Sequence, residues 1–378
     1  MTRADRRGVR PVGAPDGAAQ GGPPGWVVGV VGGVIGLALA LRLLAPAGMD
    51  ATIFLALGQD APEPTAYAER LLGEVAVRSD AGHDGKYFFI LANDPFHLDP
   101  RANAAFLDLP TYRAQRMLFP AIAGLGGLLP PGAIVWSLLI TNILALGVGA
   151  WLAALLATRW GGSSWIGLSV PLNVGLVFEL LIDGAGIVAF VLCIAAVSAL
   201  VRERVALASV LFTTGVLTRE VMLAFVVGVV VLWWVDRRRL PWAVMVAPVL
   251  GLALWDLFLF WRLRGVTGTG SDLTFLAVPF SGLIRAVPEW IRSPGELALS
   301  VLLVLIAVGF VPVALRTRNP LAWGALAFVP LAAVLSADVY LEAADLSRAL
   351  APVFTAAAFV LFVPRGTAAR PVEVETPR

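Results

Sequence analysis

The sequence contains few of the residues from which metal and redox sites are usually built. It has one cysteine, Cys193, and two histidines, His83 and His97, in 378 residues. A single cysteine can form neither an intramolecular disulfide nor a cysteine metal cluster. The two histidines do not have the spacing of a histidine pair on one helix. We therefore expect no cofactor and no metal site, while a divalent ion held by carboxylates alone stays open.

Charged residues are also scarce. They make up 14% of the chain, whereas ordinary globular domains have about 25%. Hydrophobic residues make up 58%, and the mean hydropathy is +0.83. The net charge is only +2, and the basic residues are spread between apolar segments, which excludes a nucleic-acid-binding protein. The composition predicts an integral membrane protein.

Polar ends enclose one long membrane domain. Residues 1–25 and 365–378 are predicted to be disordered cytoplasmic tails around a polytopic domain at 26–364. The first apolar run, from Trp26 to Ala45, is long enough to cross a hydrocarbon core of about 30 Å. Because it is longer than the ~7–15 residues of a signal-peptide core, we expect a membrane helix and not a cleaved signal.

About ten transmembrane helices are predicted. After the first, the apolar segments lie at 133–158, 165–182, 185–201, 205–218, 220–235, 241–262, 297–315, 320–336 and 347–363. Short cytoplasmic loops carry an excess of arginine. An N-terminus in the cytoplasm places the following loop arginines inside: Arg159, Arg202, Arg204, Arg237, Arg238, Arg239, Arg316, Arg318 and Arg365. The predicted fold class is an all-α integral membrane protein with both termini inside.

The outer face carries most of the polar chemistry. The same topology places these carboxylates there: Glu179, Asp183, Glu220, Asp272, Glu289, Asp338, Glu342 and Asp345. A large outer loop at 47–116 is predicted to contain amphipathic helices near 67–77 and 85–93, and a third that starts after Asp108 and Pro110. The apolar segment 117–130 is too short to span the membrane, so we expect a helix on its outer surface.

Two apolar segments, 205–218 and 220–235, are short and meet at Arg219 and Glu220. We expect two helices that meet below the outer surface and leave these two residues facing a cavity. An ionisable residue at membrane depth costs about 2.5–3.5 kcal/mol on insertion scales and usually faces a protein interior or a water-filled site. The alternative is a mutual ion pair that joins the two helices.

The outer loop offers a candidate base and a candidate anion site. Asp84 precedes a helix-like aromatic run, so its simplest role is a helix N-cap. It could also be a base in an outward cavity, and capping does not exclude that role. Arg113 and Arg116 are three positions apart on a predicted helix and would point two guanidinium groups the same way, as a phosphate requires. The alternative for the two arginines is contact with lipid headgroups.

These residues resemble a known superfamily. The segment His83-Asp84-Gly85-Lys86-Tyr87-Phe88 resembles the aromatic-Asp-Gly-x-x-Tyr element of the PIG-V-like mannosyltransferases. Arg116-Met117-Leu118-Phe119-Pro120 resembles the start of the helix that follows it. The order of elements, from Trp26 to Pro364, is similar to the GT-C integral membrane glycosyltransferases and to bacterial proteins of cell-surface glycopolymer formation. His83 replaces the usual aromatic residue, and no Asp-x-Asp or Glu-x-Asp pair is present.

The resemblance implies an inverting glycosyltransferase at the outer face of the plasma membrane. The donor would be a polyprenyl-phosphate-linked sugar, and the acceptor a hydroxyl group of a lipid, glycan or protein. Asp84 would be the catalytic base, with Asp50 as the second candidate. The substrate-binding residues would be Lys86, Tyr87, Asp108, Tyr112, Arg113, Arg116, Arg219, Glu220 and Arg348.

Two other classes of protein stay open. A lipid or polysaccharide transporter or flippase commonly has two related halves with interrupted helices at matching positions, and the sequence shows one interrupted pair and no internal repeat. A non-catalytic scaffold of a cell-envelope glycopolymer pathway would keep the topology and tolerate the loss of Asp84.

Overall fold

The computed structural model describes residues 21–236, 242–266 and 276–363. The predicted tails at 1–25 and 365–378 lie outside this part of the chain, apart from residues 21–25. Four of the arginines that set the predicted topology also lie outside it: Arg237, Arg238, Arg239 and Arg365.

The described residues are predominantly helical, as predicted for an all-α membrane protein. The α-helices are α1 Gly25–Leu44, α2 Pro62–Leu72, α3 Gly85–Asn93, α4 Pro100–Asn103, α5 Pro110–Gln115, α6 Leu118–Ala123, α7 Pro131–Arg159, α8 Val174–Leu181, α9 Gly186–Val201, α10 Val205–Thr218, α11 Met222–Val235, α12 Trp242–Arg262, α13 Ser281–Arg292, α14 Pro294–Leu315, α15 Pro320–Leu326, α16 Phe328–Ala333, α17 Ala343–Ala349 and α18 Ala351–Phe362. Short 3₁₀ helices lie at Ala51–Leu55, Ala104–Phe106, Leu125–Gly127, Ser164–Ser169 and Ala337–Val339. Two short strands, β1 Leu57–Gly58 and β2 Val77–Arg78, pair in parallel.

Within residues 21–236, 242–266 and 276–363, four helices are long and apolar enough to cross a membrane: α1, α7, α12 and α14. Helices α17 and α18 are bent by 64° and together form a fifth candidate. Four further apolar elements have only 10–17 residues, namely α9, α10, α11 and the segment Pro320–Ala333. At a rise of about 1.5 Å per residue, such helices are shorter than the hydrocarbon core. Length and composition therefore support four or five crossing elements, and the predicted ten are not confirmed.

Two predicted elements need correction. The segment 165–182 is not one helix, because a 3₁₀ helix and α8 are separated at Asn173, whose buried amide caps α8 and donates to the Ala351 carbonyl at 2.7 Å. The surface helix predicted at 117–130 ends at Ala123, since Gly126 has a φ of 69°. A six-residue helix replaces it.

The outer loop follows the prediction more closely. Helix α3 has the predicted bounds of 85–93, and α5 begins at Pro110 as predicted. The first amphipathic helix lies at 62–72 instead of 67–77, because Pro62 starts it and Gly73, with a φ of 84°, ends it. Every residue from Gly85 to Ala92 is buried, so α3 is a core helix of the segment 47–116, which is predicted to be an outer loop.

Helix packing determines which chain segments meet at the site. Helix α1 packs along α7, α9 packs against α7 and α10, and α10 packs against α12. The outer-loop helix α5 lies against α12, where the Trp255 indole N–H donates to the Ala114 carbonyl at 2.9 Å. Helix α17 lies against α8. These contacts bring the starts of α3 and α11 close to α5, α8 and α17.

Candidate active site

The Asp84-Gly85 pair lies where three parts of the chain meet. A Cβ atom at Gly85 would lie 2.5 Å from the Ile182 carbonyl oxygen and 2.7 Å from that of Phe54. Only glycine allows the start of α3 to come this close to two backbone segments. Gly85 thereby positions Asp84 between the 3₁₀ helix Ala51–Leu55 and the end of α8.

Asp84 binds arginines and does not cap its helix. It occupies the N-cap position of α3, but its side chain accepts no backbone hydrogen bond, so the N-cap alternative is wrong. Its Oδ1 accepts a hydrogen bond from Arg113 at 2.8 Å, and its Oδ2 accepts one from Arg348 at 2.7 Å. The Arg116 guanidinium lies 3.7 Å from Oδ2. One carboxylate therefore pairs with three guanidinium groups.

Arg113 and Arg116 each have a second carboxylate and an aromatic neighbour. Arg113 makes two hydrogen bonds of 2.8 Å to Asp108 and lies 4.1 Å from the centre of the Tyr87 ring. Arg116 makes two hydrogen bonds of 2.9 and 3.0 Å to Glu220. Its guanidinium lies 4.4 Å from the centre of the Tyr112 ring and donates to the Tyr112 hydroxyl. Both arginine side chains are mostly buried, which excludes the headgroup-contact alternative.

The arginines Arg113, Arg116, Arg219 and Arg348 form an arginine cluster. The buried carboxylate of Glu179, on α8, binds two of its members. It is 1% exposed and accepts hydrogen bonds from Arg219, from Arg348 at 2.9 Å and from the Gly186 backbone at 3.0 Å. Arg348 also pairs with Asp345 at 2.9 Å. Arg348 therefore links Asp84 to Glu179, and α17 to α3 and α8.

The Arg219–Glu220 ion pair predicted as an alternative does not form. Arg219 pairs with Glu179, whereas Glu220 pairs with Arg116. The helix break itself is confirmed, because α10 ends at Thr218 and Arg219 has an extended backbone with a φ of −155°. The break sends two neighbouring side chains to two different elements.

Lys86 differs from Arg113, Arg116, Arg219 and Arg348 in the groups that it contacts. Among the ion pairs of residues 21–236, 242–266 and 276–363, none includes Lys86. Its ammonium donates to the Ala81 carbonyl and lies 5.0 Å from the centre of the Tyr87 ring. Burial and the nearby Arg113 guanidinium lower the pKa of Lys86 from its ordinary value.

Asp84, Lys86 and the four arginines that pair with Asp84 or Glu179 line one cavity of about 400 Å³. The charged and polar lining residues are His83, Asp84, Lys86, Tyr87, Asp108, Tyr112, Arg113, Arg116, Arg219, Asp338, Asp345 and Arg348. The apolar lining residues include Val221, Phe328, Leu331, Ala332 and Leu335. The lining therefore combines five basic and four acidic side chains with apolar ones.

Two predicted residues do not line this cavity. The Asp50 carboxylate accepts hydrogen bonds from the Thr52 backbone and hydroxyl, at 2.9 and 2.8 Å, and so caps its own 3₁₀ helix. Glu220 is bound to Arg116 and is not among the lining residues. The sequence prediction of site residues omitted Glu179, although a single carboxylate in an apolar segment is the signal of a functional or paired residue.

The ion pairs also bear on the predicted role of Asp84 as a base. Burial would raise the pKa of the Asp84 carboxyl, but the guanidinium groups of Arg348, Arg113 and Arg116 outweigh it and hold that pKa well below its usual range. Accepting a proton would weaken all three ion pairs. The catalytic role of Asp84 stays a prediction, and its strongest visible interaction is with the arginines.

The described residues contain no group of three histidine, cysteine, aspartate or glutamate side chains placed to hold a metal ion. Comparisons with protein-family models, with curated proteins and with solved structures found no match for this chain. The function is therefore argued from the cavity and its chemistry.

Proposed function

We propose that the chain is a membrane-embedded inverting glycosyltransferase that uses a polyprenyl-phosphate-linked sugar as donor. The observation that carries the proposal is the cavity that unites Lys86 and four arginines with an apolar wall. A polyprenyl phosphate has the matching composition, with an anionic group attached to a long apolar chain. The acceptor would be a hydroxyl group on a lipid, glycan or protein.

The arginines fit the donor phosphate because they are planar, permanently charged and already oriented. Hydrogen bonds to charged groups contribute about 1.5–3 kcal/mol each. Asp84 and Glu179 fix the guanidinium planes before a ligand arrives. Groups oriented in advance stabilise developing charge without reorganising during the reaction.

The proposed reaction is a single displacement. The acceptor oxygen forms a bond to the anomeric carbon, and the bond from that carbon to the phosphate oxygen breaks. The electron pair of the broken bond goes to the lipid phosphate, whose growing charge the arginines stabilise. A carboxylate accepts the acceptor's hydroxyl proton.

The proposal includes the predicted topology, with about ten spans, both termini inside and the site at the outer face of the plasma membrane. Two contacts support it. Arg159 at the end of α7 donates to the Val201 carbonyl at the end of α9 at 3.0 Å, so these two arginine-flanked ends lie together. Arg318, after α14, pairs with Asp236, after α11. Both contacts join ends that the arginine pattern assigns to the cytoplasm.

A transfer assay tests the proposal. Protein in lipid nanodiscs is supplied with radiolabelled polyprenyl-phosphate mannose, glucose or galactose and with octyl glycosides as acceptors. We expect a product whose anomeric configuration is inverted relative to the donor, and about 10²-fold less of it from Arg113→Ala. Arg292→Ala, an exposed arginine outside the cavity, is the matched control. A product with retained configuration would contradict the mechanism.

A further inference from the structure

A second cavity of about 280 Å³ lies beside the first. It is lined by Leu276, Ala277, Ser281, Gly282, Arg285, Ser336, Ala337 and Asp338. Within the described part of the chain, Asp338 is the one residue that lines both cavities. The two cavities therefore meet at a carboxylate.

Backbone contacts fix the wall between α13 and the segment that carries Asp338. The Ala277 N–H donates to the Val334 carbonyl at 2.7 Å, and the Trp290 indole N–H donates to the Tyr340 carbonyl at 2.6 Å. A Cβ atom at Gly282 would collide with the Leu335 carbonyl oxygen. The start of α13 thus packs directly on this backbone, and the two together form the wall of the second cavity.

The Asp338 carboxylate has few polar partners within the described residues. Its one hydrogen bond in residues 21–236, 242–266 and 276–363 is a long one of 3.4 Å from the Ser336 hydroxyl, and no arginine or lysine there pairs with it. Asp338 is exposed to the cavities. Asp84, by contrast, uses both oxygens to hold arginines.

We propose that the second cavity binds the acceptor sugar and that Asp338 accepts the proton of its hydroxyl group. The inference rests on the proposed function, since it needs a donor in the first cavity. The acceptor oxygen attacks the anomeric carbon while its proton moves to Asp338, and the donor phosphate leaves with the electron pair. Water later removes the proton from Asp338.

The lining of the second cavity suits a glycoside. The Arg285 guanidinium offers donors to sugar hydroxyls. The hydroxyls of Ser281 and Ser336 donate to the Val278 carbonyl and to Asp338, so their oxygens remain as acceptors. Arg285 has no carboxylate partner within the described residues. Next to it, Ile284 and Ile291 of α13 are 67% and 63% exposed, as expected for a helix that lies on lipid. A glycoside carried on a membrane lipid would reach the cavity along this helix.

Kinetics of variants at two carboxylates, Asp338 and Asp60, test the assignment. We expect Asp338→Asn to lower kcat by about 10²-fold or more, without weakening the binding of polyprenyl phosphate. Asp338→Glu should recover part of the loss because it restores a base. Asp60→Asn, an exposed carboxylate outside both cavities, should behave as the wild type.

The outcomes separate this inference from the proposed function. A wild type that transfers sugar, together with an Asp338→Asn variant that does so equally well, overturns the assignment and leaves the proposed function intact. The same holds if Asp84→Asn lowers kcat and Asp338→Asn does not. A wild type that transfers none of the sugars and binds polyprenyl phosphate no better than polyprenol overturns both.

A labelling experiment tests the acceptor cavity without a donor. Cys193 is fully buried, so Ser281→Cys introduces one reactive thiol at the cavity wall. We expect octyl glycosides, below their micelle concentration, to slow its reaction with an uncharged maleimide in a saturable way, whereas octanol should not. Labelling that is unaffected by every octyl glycoside overturns the acceptor site.

Discussion

The arginine cluster and the second cavity both contain aspartates, but they pair them differently. In the cluster, Asp84 is in contact with three guanidinium groups and Glu179 with two. In the second cavity, Asp338 receives one long hydrogen bond from Ser336. The first arrangement fixes cations in place, and the second leaves a carboxylate available to a substrate.

This difference shows that the most charged position of a site need not be its base. A carboxylate that already holds several guanidinium groups stabilises its ionised form and resists protonation. Asp338, where the two cavities meet, pairs with no arginine or lysine of the described residues and receives a hydrogen bond from the Ser336 hydroxyl. We therefore propose that the arginine cluster binds the anion and that Asp338 accepts the proton.

The largest expected effect is the loss of Glu179. Glu179→Gln removes the carboxylate that pairs with both Arg219 and Arg348, whose guanidinium groups are mostly buried. Breaking a buried ion pair from one side costs about 3–5 kcal/mol. We expect the free energy of unfolding in an SDS titration of mixed micelles to fall by that amount. An unchanged unfolding curve would mean that the cluster is not a structural centre.

The next effect is on ligand affinity. A phosphate must compete with Asp84 for the guanidinium groups of Arg113, Arg116 and Arg348. Asp84→Asn removes the competing charge, so we expect the affinity for polyprenyl phosphate to rise about tenfold, or about 1.4 kcal/mol. The measurement is titration of the lipid in nanodiscs. A lower affinity would show that the positioning of the arginines by Asp84 outweighs its competition with the phosphate.

A smaller effect concerns the pH dependence of phosphate binding. Because burial and Arg113 lower the pKa of Lys86, its charge is lost at a lower pH than that of an ordinary lysine. The affinity for polyprenyl phosphate should therefore fall severalfold as the pH rises from neutral towards the ordinary lysine value of about 10.4. Tyr87 and Tyr112 stay neutral there, since burial raises their pKa values.

Lys86→Arg is the matched variant for this pH titration. Arginine keeps its charge throughout the alkaline range, so the affinity should become independent of pH. An equal alkaline decrease in the variant and the wild type would assign the titration to another group.

The smallest expected effect sets the baseline for the first. Glu289 and Arg292 form an exposed pair on α13, with side chains 46% and 72% exposed. Such surface pairs contribute about 0–1 kcal/mol. We expect Glu289→Gln to leave the unfolding curve almost unchanged. A loss as large as that of Glu179→Gln would mean that burial does not distinguish the two carboxylates.

The sequence predicted the members of the arginine cluster better than their partners. Asp84, Arg113 and Arg116 could be selected because polar residues are rare in an apolar chain, and α3 and α5 have clear start signals at Gly85 and Pro110. The partners of Arg219 and Glu220 could not be predicted in this way. Neighbours in sequence do not face each other where the helix breaks, so Arg219 pairs with Glu179 and Glu220 with Arg116.

Other features needed three-dimensional contacts. The break inside 165–182 depends on Asn173, whose amide binds Ala351 and Thr355 far along the chain. Asp50 is the second candidate base from the sequence, but its carboxylate accepts hydrogen bonds from the backbone and hydroxyl of Thr52. Within the described residues, four of the predicted apolar runs form helices that are long and apolar enough to cross a membrane. The lengths of the other helices depend on tertiary packing, which hydropathy does not contain.

The most direct test of the account is whether the cavity recognises a lipid phosphate. Arg219 lines the cavity, and its buried Nε has no hydrogen-bond partner among the described residues. Binding of polyprenyl phosphate and of uncharged polyprenol is compared in nanodiscs for the wild type, Arg219→Lys and Arg219→Ala. We predict tighter binding of the phosphate by the wild type, weaker binding by Arg219→Lys, and the weakest by Arg219→Ala. Equal affinity of the wild type for the two lipids would contradict the account.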